Sequence, residues 1–111
     1  MPTAVHVAHG GAVDYTPGTD VASGAVVVQG ELVGVARNPI PANTLGSLAV
    51  VGIFDFPKAT GVSTAITVGS NVYWDAANQR VTTTATGNKL VGKTVKAAVD
   101  ADATVRVRMM Q

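Results

Sequence analysis

What this chain lacks narrows its function before any motif is considered. It contains no cysteine, which excludes a disulfide-stabilised scaffold and a thiolate metal site. Only 14% of its 111 residues are charged, and the net charge of +1 provides no overall attraction to nucleic acid or to anionic membranes. No apolar run approaches the length of about 18 residues that a membrane-spanning helix needs. The first residues lack a basic segment followed by an apolar one, so we expect no signal peptide and no membrane partner.

The residues that are abundant favour β-structure. The chain contains twenty Val and thirteen Thr, whose branched side chains fit a pleated sheet. Twelve Gly and five Pro separate short apolar runs, a spacing that is typical of all-β domains. No segment shows a convincing helical period. We therefore predict a single β domain over residues 1–111, built as a small sandwich or barrel of short antiparallel strands with little or no helix.

Alternating or continuous apolar runs predict the individual strands. Short strands are expected around Val5 and Val7 and at residues 12–15, 26–28 and 32–36. The run 48–56 is predicted to form one strand with two apolar faces, which places it in the centre of the fold or under a partner.

Two hairpins are expected in the second half of the chain. Residues 71–74 and 80–84 are predicted to pair, because Asp75 and Asn78 favour the turn between them. Residues 95–99 are expected to pair with a final strand that follows a turn at residues 100–102. In that final strand, alternation predicts Val105, Val107 and Met109 in the core and Thr104, Arg106 and Arg108 on the outside.

A nucleotide-binding motif is the most specific pattern in the chain. Residues 87–94 match G-x-x-x-x-G-K-[ST], with Gly87, Gly92, Lys93 and Thr94 at the defining positions. A true P-loop follows a buried parallel strand and precedes a helix whose N-terminus holds the phosphate. Here the preceding segment is polar at alternate positions, and the following segment is better interpreted as a hairpin arm. We therefore interpret the motif as a turn at Gly87 followed by a strand with solvated lysines, and we expect no cofactor.

Other residues with useful chemistry do not assemble a convincing site. His6 and His9 lie three apart on a predicted strand and so point to opposite faces, which disfavours a metal site. Asp100 and Asp102 could form a carboxylate pair, but they occupy a predicted turn, where aspartate is favoured for hydrogen bonding to the backbone. We therefore predict no catalytic residue and no metal ligand, and we expect a structural or binding protein rather than an enzyme.

Five residues are candidates for contacts with another protein. Large aromatic residues are usually buried in the core, but they also anchor interfaces, so the candidates include Phe54, Phe56 and Trp74. Arg106 and Arg108 form a short basic stripe on the last predicted strand. Two or three charges neutralise little phosphate, and no aromatic platform lies beside them, so nucleic acid is disfavoured as a partner.

The order of several segments resembles the capsid cement (decoration) proteins of tailed phages and prophages. The likeness covers almost the whole chain, and its matching pieces are residues 14–17, 21–28, 30–36, 52–59, 69–76 and 84–92. Asn43 and Asn71 stand where the family pattern has glycine or a small turn residue, and asparagine can serve the same turn. Members of that family sometimes carry a recombinase label, which a chance P-loop match would explain.

The resemblance implies a structural protein that binds the outside of a capsid shell and reinforces it. The implied partners are the major capsid protein and further copies of the chain, as a dimer or trimer. The implied location is the exterior of a virion assembled in the bacterial cytoplasm. Two alternatives stay open at this stage, namely a recombinase-like nucleotide binder acting through residues 87–94 and a small β-barrel that binds nucleic acid or a small ligand.

Overall fold

The chain folds into short antiparallel strands. The computed structural model describes residues 3–4 and 10–110, so the strand expected around Val5 and Val7 lies outside the described residues. The described part contains no helix, and hence none that is long and apolar enough to cross a membrane. Its strands are β1 (Ala12–Tyr15), β2 (Val26–Gln29), β3 (Leu32–Val35), β4 (Gly46–Ala49), β5 (Gly52–Pro57), β6 (Asn71–Asp75), β7 (Arg80–Thr82), β8 (Lys89–Thr94) and β9 (Thr104–Met109). The predicted all-β class is confirmed.

The strands form two sheets that pack against each other. The first sheet has the order β1-β4-β3-β2 and the second has the order β5-β9-β8-β6-β7, with antiparallel pairing throughout. The edge strands of the second sheet approach each other at a single parallel bridge between Lys58 and Val81. An ion pair of 2.8 Å between Lys89 Nζ on β8 and Glu31 Oε1 after β2 also connects the two sheets. Because the strands divide into two separate sheets instead of one closed ring, the architecture is a sandwich rather than a closed barrel, which decides between the two predicted forms.

The main core lies between the sheets and follows from the two-residue alternation along the strands. Val33 and Val35 of β3 point towards the second sheet, which contributes most of the remaining side chains. The rings of Phe56 and Trp74 meet edge to face with centroids 6.3 Å apart. The alternation predicted for the last strand is confirmed: Val105, Val107 and Met109 are buried, and Thr104, Arg106 and Arg108 are exposed.

A smaller apolar cluster lies on the opposite face of the first sheet. It contains Ala36, Ile40 and Leu48. Gly34 lies under this cluster, because a Cβ atom there would come within 2.8 Å of the Leu48 Cβ. Asn43, in the loop before β4, has a φ of 60°, so asparagine does occupy a left-handed turn position here.

The prediction of one strand over residues 48–56 is wrong. β4 ends at Ala49 and pairs with β1 and β3, whereas β5 begins at Gly52 and pairs with β9 in the other sheet. Gly52 has a φ of 135°, which a side chain would strain, so glycine permits the chain to change sheets at this point. A largely apolar run therefore contributes to two sheets in succession.

The final hairpin also differs from its prediction in one arm. The strands that pair with β9 are β5 and β8. Residues 95–99 form no strand: the Val95 amide donates to the Arg106 carbonyl over 3.0 Å, and Ala98 forms an isolated bridge with Ile66. Ala98 is buried there, whereas Val95 and Val99 are exposed. The hairpin predicted for residues 71–84 is confirmed as β6 and β7.

Candidate interaction surface

The apparent P-loop does not have the geometry of a phosphate site. Gly87, with a φ of 77°, lies in a turn in which the Asn88 amide donates to the Ala85 carbonyl over 3.1 Å. The chain then enters β8, which is held between the antiparallel strands β6 and β9. Between β8 and the last described residue, 110, no helix N-terminus follows to hold a phosphate. The interpretation of this segment as a turn followed by a strand is confirmed.

Two further residues of the motif, Gly92 and Thr94, are held by contacts within the protein. Gly92 lies so close to β9 that a Cβ atom would come within 2.9 Å of the Arg108 carbonyl carbon and the Met110 nitrogen. The buried Thr94 hydroxyl donates to the Thr67 carbonyl over 2.7 Å and accepts from the Ser70 amide over 3.0 Å. Packing and hydrogen bonding within the sheet therefore account for both residues.

The three aromatic candidates point inward. Phe56 and Trp74 are only 2% and 4% exposed and belong to the core. Phe54 is partly buried and packs edge to face against Phe56, with centroids 6.3 Å apart. Their burial assigns Phe56 and Trp74 to core packing rather than to a surface. For the two phenylalanines, the two-residue alternation along β5, counted from Gly52, is the sequence signal that distinguishes Phe54 and Phe56 from the exposed Ile53 and Asp55.

The exposed side of the second sheet presents a set of aligned side chains, which we call the outer face. Ile53 and Asp55 of β5 alternate with the two phenylalanines and are exposed. Asp55 lies opposite Arg106, and Ile53 lies opposite Arg108, on the neighbouring β9. Lys93 of β8 lies opposite Arg108 on its other side. Sequence analysis identified the two arginines but missed Ile53 and Lys93, because only the strand register brings them together.

Asp55 and Arg106 form the clearest electrostatic contact on the outer face. Arg106 Nε donates to Asp55 Oδ1 over 3.0 Å, and Nη2 donates to Oδ2 over 3.3 Å. This hydrogen bonding lowers the pKa of Asp55, with partial desolvation opposing it and the positive charge of Arg106 adding to it. The same contact raises the pKa of Arg106. Both side chains are 49% exposed, so the pair contributes modestly to stability and mainly aligns Arg106.

The carboxylates of the predicted turns stabilise backbone. Asp100 Oδ1 accepts from the Ala65 amide over 2.8 Å, and Asp102 Oδ2 accepts from the Val99 amide over 3.0 Å. Among the described residues no three potential metal ligands come together, and the candidate ligands His6 and His9 lie outside those residues. A shallow depression of about 340 Å³ beside Val21 and Ile40 has Asp20 as its one charged lining residue. These features supply no convergent catalytic chemistry.

Comparison of the chain with models of known protein families identifies its family. A family model described as phage cement protein matches residues 7–109. The chain belongs to the phage cement protein family. Searches of curated proteins and of solved structures gave no match. The resemblance seen in the order of segments is thereby confirmed.

Membership in the cement family implies where this protein is located and with which proteins it associates. Cement proteins are structural components of phage particles, which implies association with capsid proteins and a place in the virion. A structural family favours the expectation that this chain is not an enzyme.

Proposed function

We propose that this chain binds the outer surface of the shell formed by the major capsid protein and stabilises that shell. The observation that carries the proposal is the family match over residues 7–109. The strand arrangement is consistent with this proposal, because paired strands in two sheets offer sheet faces for contact with a shell. Such a protein works through contact area rather than through a pocket.

Stabilisation would follow from mass action. A protein that binds assembled shell but not dissociated subunits lowers the free energy of the assembled state by an amount that grows with its concentration. At one hundred times the dissociation constant, the gain is about 2.7 kcal/mol for each site. A shell offers many equivalent sites, so modest affinity at each one is sufficient to reinforce the particle.

The proposed contacts lie on the outer face. Arg106 and Arg108 keep their place as candidate interface residues because both are exposed on β9. Phe54 remains a candidate apart from the outer face, since it is only partly buried on the opposite side of β5.

Oligomerisation forms part of the same proposal. Copies of the chain at a local symmetry axis would associate as a dimer or trimer, which matches the symmetry of the shell beneath them. Sedimentation velocity of the purified protein, and of the protein released from particles, measures this state. A strictly monomeric protein in both samples would contradict this part of the proposal.

The central experiment is co-sedimentation with cognate capsids. We expect the purified chain to sediment with mature shells, to saturate at a fixed number of copies, and to raise the temperature at which the shells disrupt. Unassembled capsid protein is the matched control and should not be bound. Absence of binding to every assembled form of the shell would refute the proposal.

A further inference from the structure

The outer face contains a row of side chains whose charges are not balanced within the protein. Across adjacent strands the row runs from Ile53 on β5 to Arg108 on β9 and Lys93 on β8. All three side chains are exposed. We call these three residues the basic row. Neither cation forms an ion pair with another residue in the described part of the chain.

Placing two cations directly opposite each other destabilises a sheet, because cross-strand neighbours repel when they carry like charges. The neighbouring row on β5 and β9 is arranged differently, since Asp55 lies opposite Arg106 and forms two hydrogen bonds with it. The outer face therefore contains an oppositely charged, hydrogen-bonded pair, Asp55 and Arg106, beside a pair of like charges, Lys93 and Arg108.

The remaining acidic residues lie elsewhere, and all but Asp14 have partners there. Asp14 lies on β1 of the other sheet, opposite Ser47, and Glu31 pairs with Lys89. The other carboxylates accept backbone or side-chain hydrogen bonds in loops and turns, and they are Asp20, Asp75, Asp100 and Asp102. Together with Asp55, these account for all seven acidic residues of the chain, and none pairs with the basic row.

We infer that the basic row docks onto a carboxylate-bearing surface of the capsid protein. The inference rests on the proposed function and names the chemistry of its partner. An acidic residue seated between Arg108 and Lys93 would turn a repulsive pair into an attractive set of three charges. Ile53, which is 59% exposed, would exclude water beside those charges and so strengthen their attraction.

Charge and shape favour an acidic protein surface over nucleic acid. Two unpaired cations release few counterions, so they supply little of the affinity that binding to a phosphate backbone requires. Stacking platforms for bases need exposed aromatic rings, whereas Phe56 and Trp74 are buried in the core.

Charge reversal tests the inference with two readouts. Lys93→Glu and Arg108→Glu are each expected to weaken binding to cognate capsids by at least about tenfold at low salt. Each reversal also converts the repulsive pair into an attractive one, so the melting temperature of the free protein should stay equal or rise. Weaker binding by a protein that is no less stable is a combination that loss of folding cannot produce.

The matched control is Arg37→Glu. Arg37 is exposed in the loop after β3, away from the outer face, and its reversal changes the net charge by the same amount. We expect binding by this variant to stay within about twofold of the wild type, because distant exposed charges are screened. Binding by the wild-type protein should weaken as salt rises.

Several outcomes would overturn the inference while leaving the proposed function intact. These are unchanged capsid binding by Lys93→Glu and Arg108→Glu, equal loss of binding by Arg37→Glu, and wild-type binding that does not respond to salt. Binding to duplex DNA or to anionic vesicles that depends on Lys93 and Arg108 would also overturn it. Failure of the wild-type protein to bind capsids at all would instead refute the proposed function and, with it, this inference.

Discussion

The sharpest test of the fold is the substitution Gly92→Ala. Gly92 is the second glycine of the apparent P-loop, and it lies on β8 against the backbone of β9. A Cβ atom at this position would come within 2.9 Å of the Arg108 carbonyl carbon and the Met110 nitrogen, and still closer to the Arg108 carbonyl oxygen. These atoms are backbone, so the clash cannot be relieved by a side-chain rotation and must separate the two strands.

The expected cost follows from that geometry. Overpacking of a well-packed site costs about 1–3 kcal/mol. Separating β8 from β9 also weakens bonds such as the 3.1 Å contact from the Met110 amide to the Val91 carbonyl, each of which contributes about 1 kcal/mol. We therefore expect a loss of roughly 3 kcal/mol or more in the free energy of unfolding, which corresponds to a fall of at least about 10 °C in melting temperature.

Gly87→Ala is the matched control within the same motif. Gly87 has a φ of 77° with open space around its Cα, so alanine meets only backbone strain of about 1–2 kcal/mol. Urea unfolding followed by tryptophan fluorescence measures both variants, because Trp74 lies in the core. A Gly92→Ala protein within about 1 kcal/mol of the wild type, or no less stable than Gly87→Ala, would refute the reasoning.

Three further results are expected. Lys58 is 5% exposed and donates to the carbonyl oxygens of three loop residues, so Lys58→Met should lose about 2–4 kcal/mol in urea unfolding, and a smaller loss than about 1 kcal/mol would contradict this. Because Arg106 lowers the pKa of Asp55, the stabilisation from their contact is present above the ordinary carboxyl pKa and is lost as pH falls through the lowered pKa. Arg106→Ala should therefore raise the pKa of Asp55, as measured by NMR titration. An unchanged pKa would argue against the contact. Phe56→Ala should cost about 3–5 kcal/mol because Phe56 is 2% exposed, whereas Ile53→Ala on the outer face should cost less than about 1 kcal/mol; similar losses would contradict the assigned orientation of β5.

Much of the architecture could be predicted because it depends on local chemistry. Valine and threonine favour strands, and strict alternation from Thr104 to Met109 identified which side chains enter the core. The turn between β6 and β7 was predictable because Asp75 accepts bonds from the Ala77 and Asn78 amides that follow it. The apparent P-loop could be set aside for similar reasons, since its flanking segments lack the required strand and helix.

Sequence alone could not decide which strands meet or where the chain changes sheets. A largely apolar run gives no indication that Ala49 and Gly52 belong to different sheets, because that division depends on pairing with strands far away in sequence. The exposed valines at 95 and 99 and the buried Ala98 likewise depend on a bridge to Ile66, which is distant along the chain.

The residues of the candidate surface also depended partly on the sequence and partly on the tertiary structure. Composition and alternation already determined that the chain is β-rich, because propensity and alternation act between neighbouring residues, whereas the structural role came from the resemblance in segment order. Only the tertiary structure placed Phe56 and Trp74 inside and aligned Ile53, Arg108 and Lys93 across three strands. Strand register depends on packing between residues far apart in sequence, and that packing determines which charges are left for a partner.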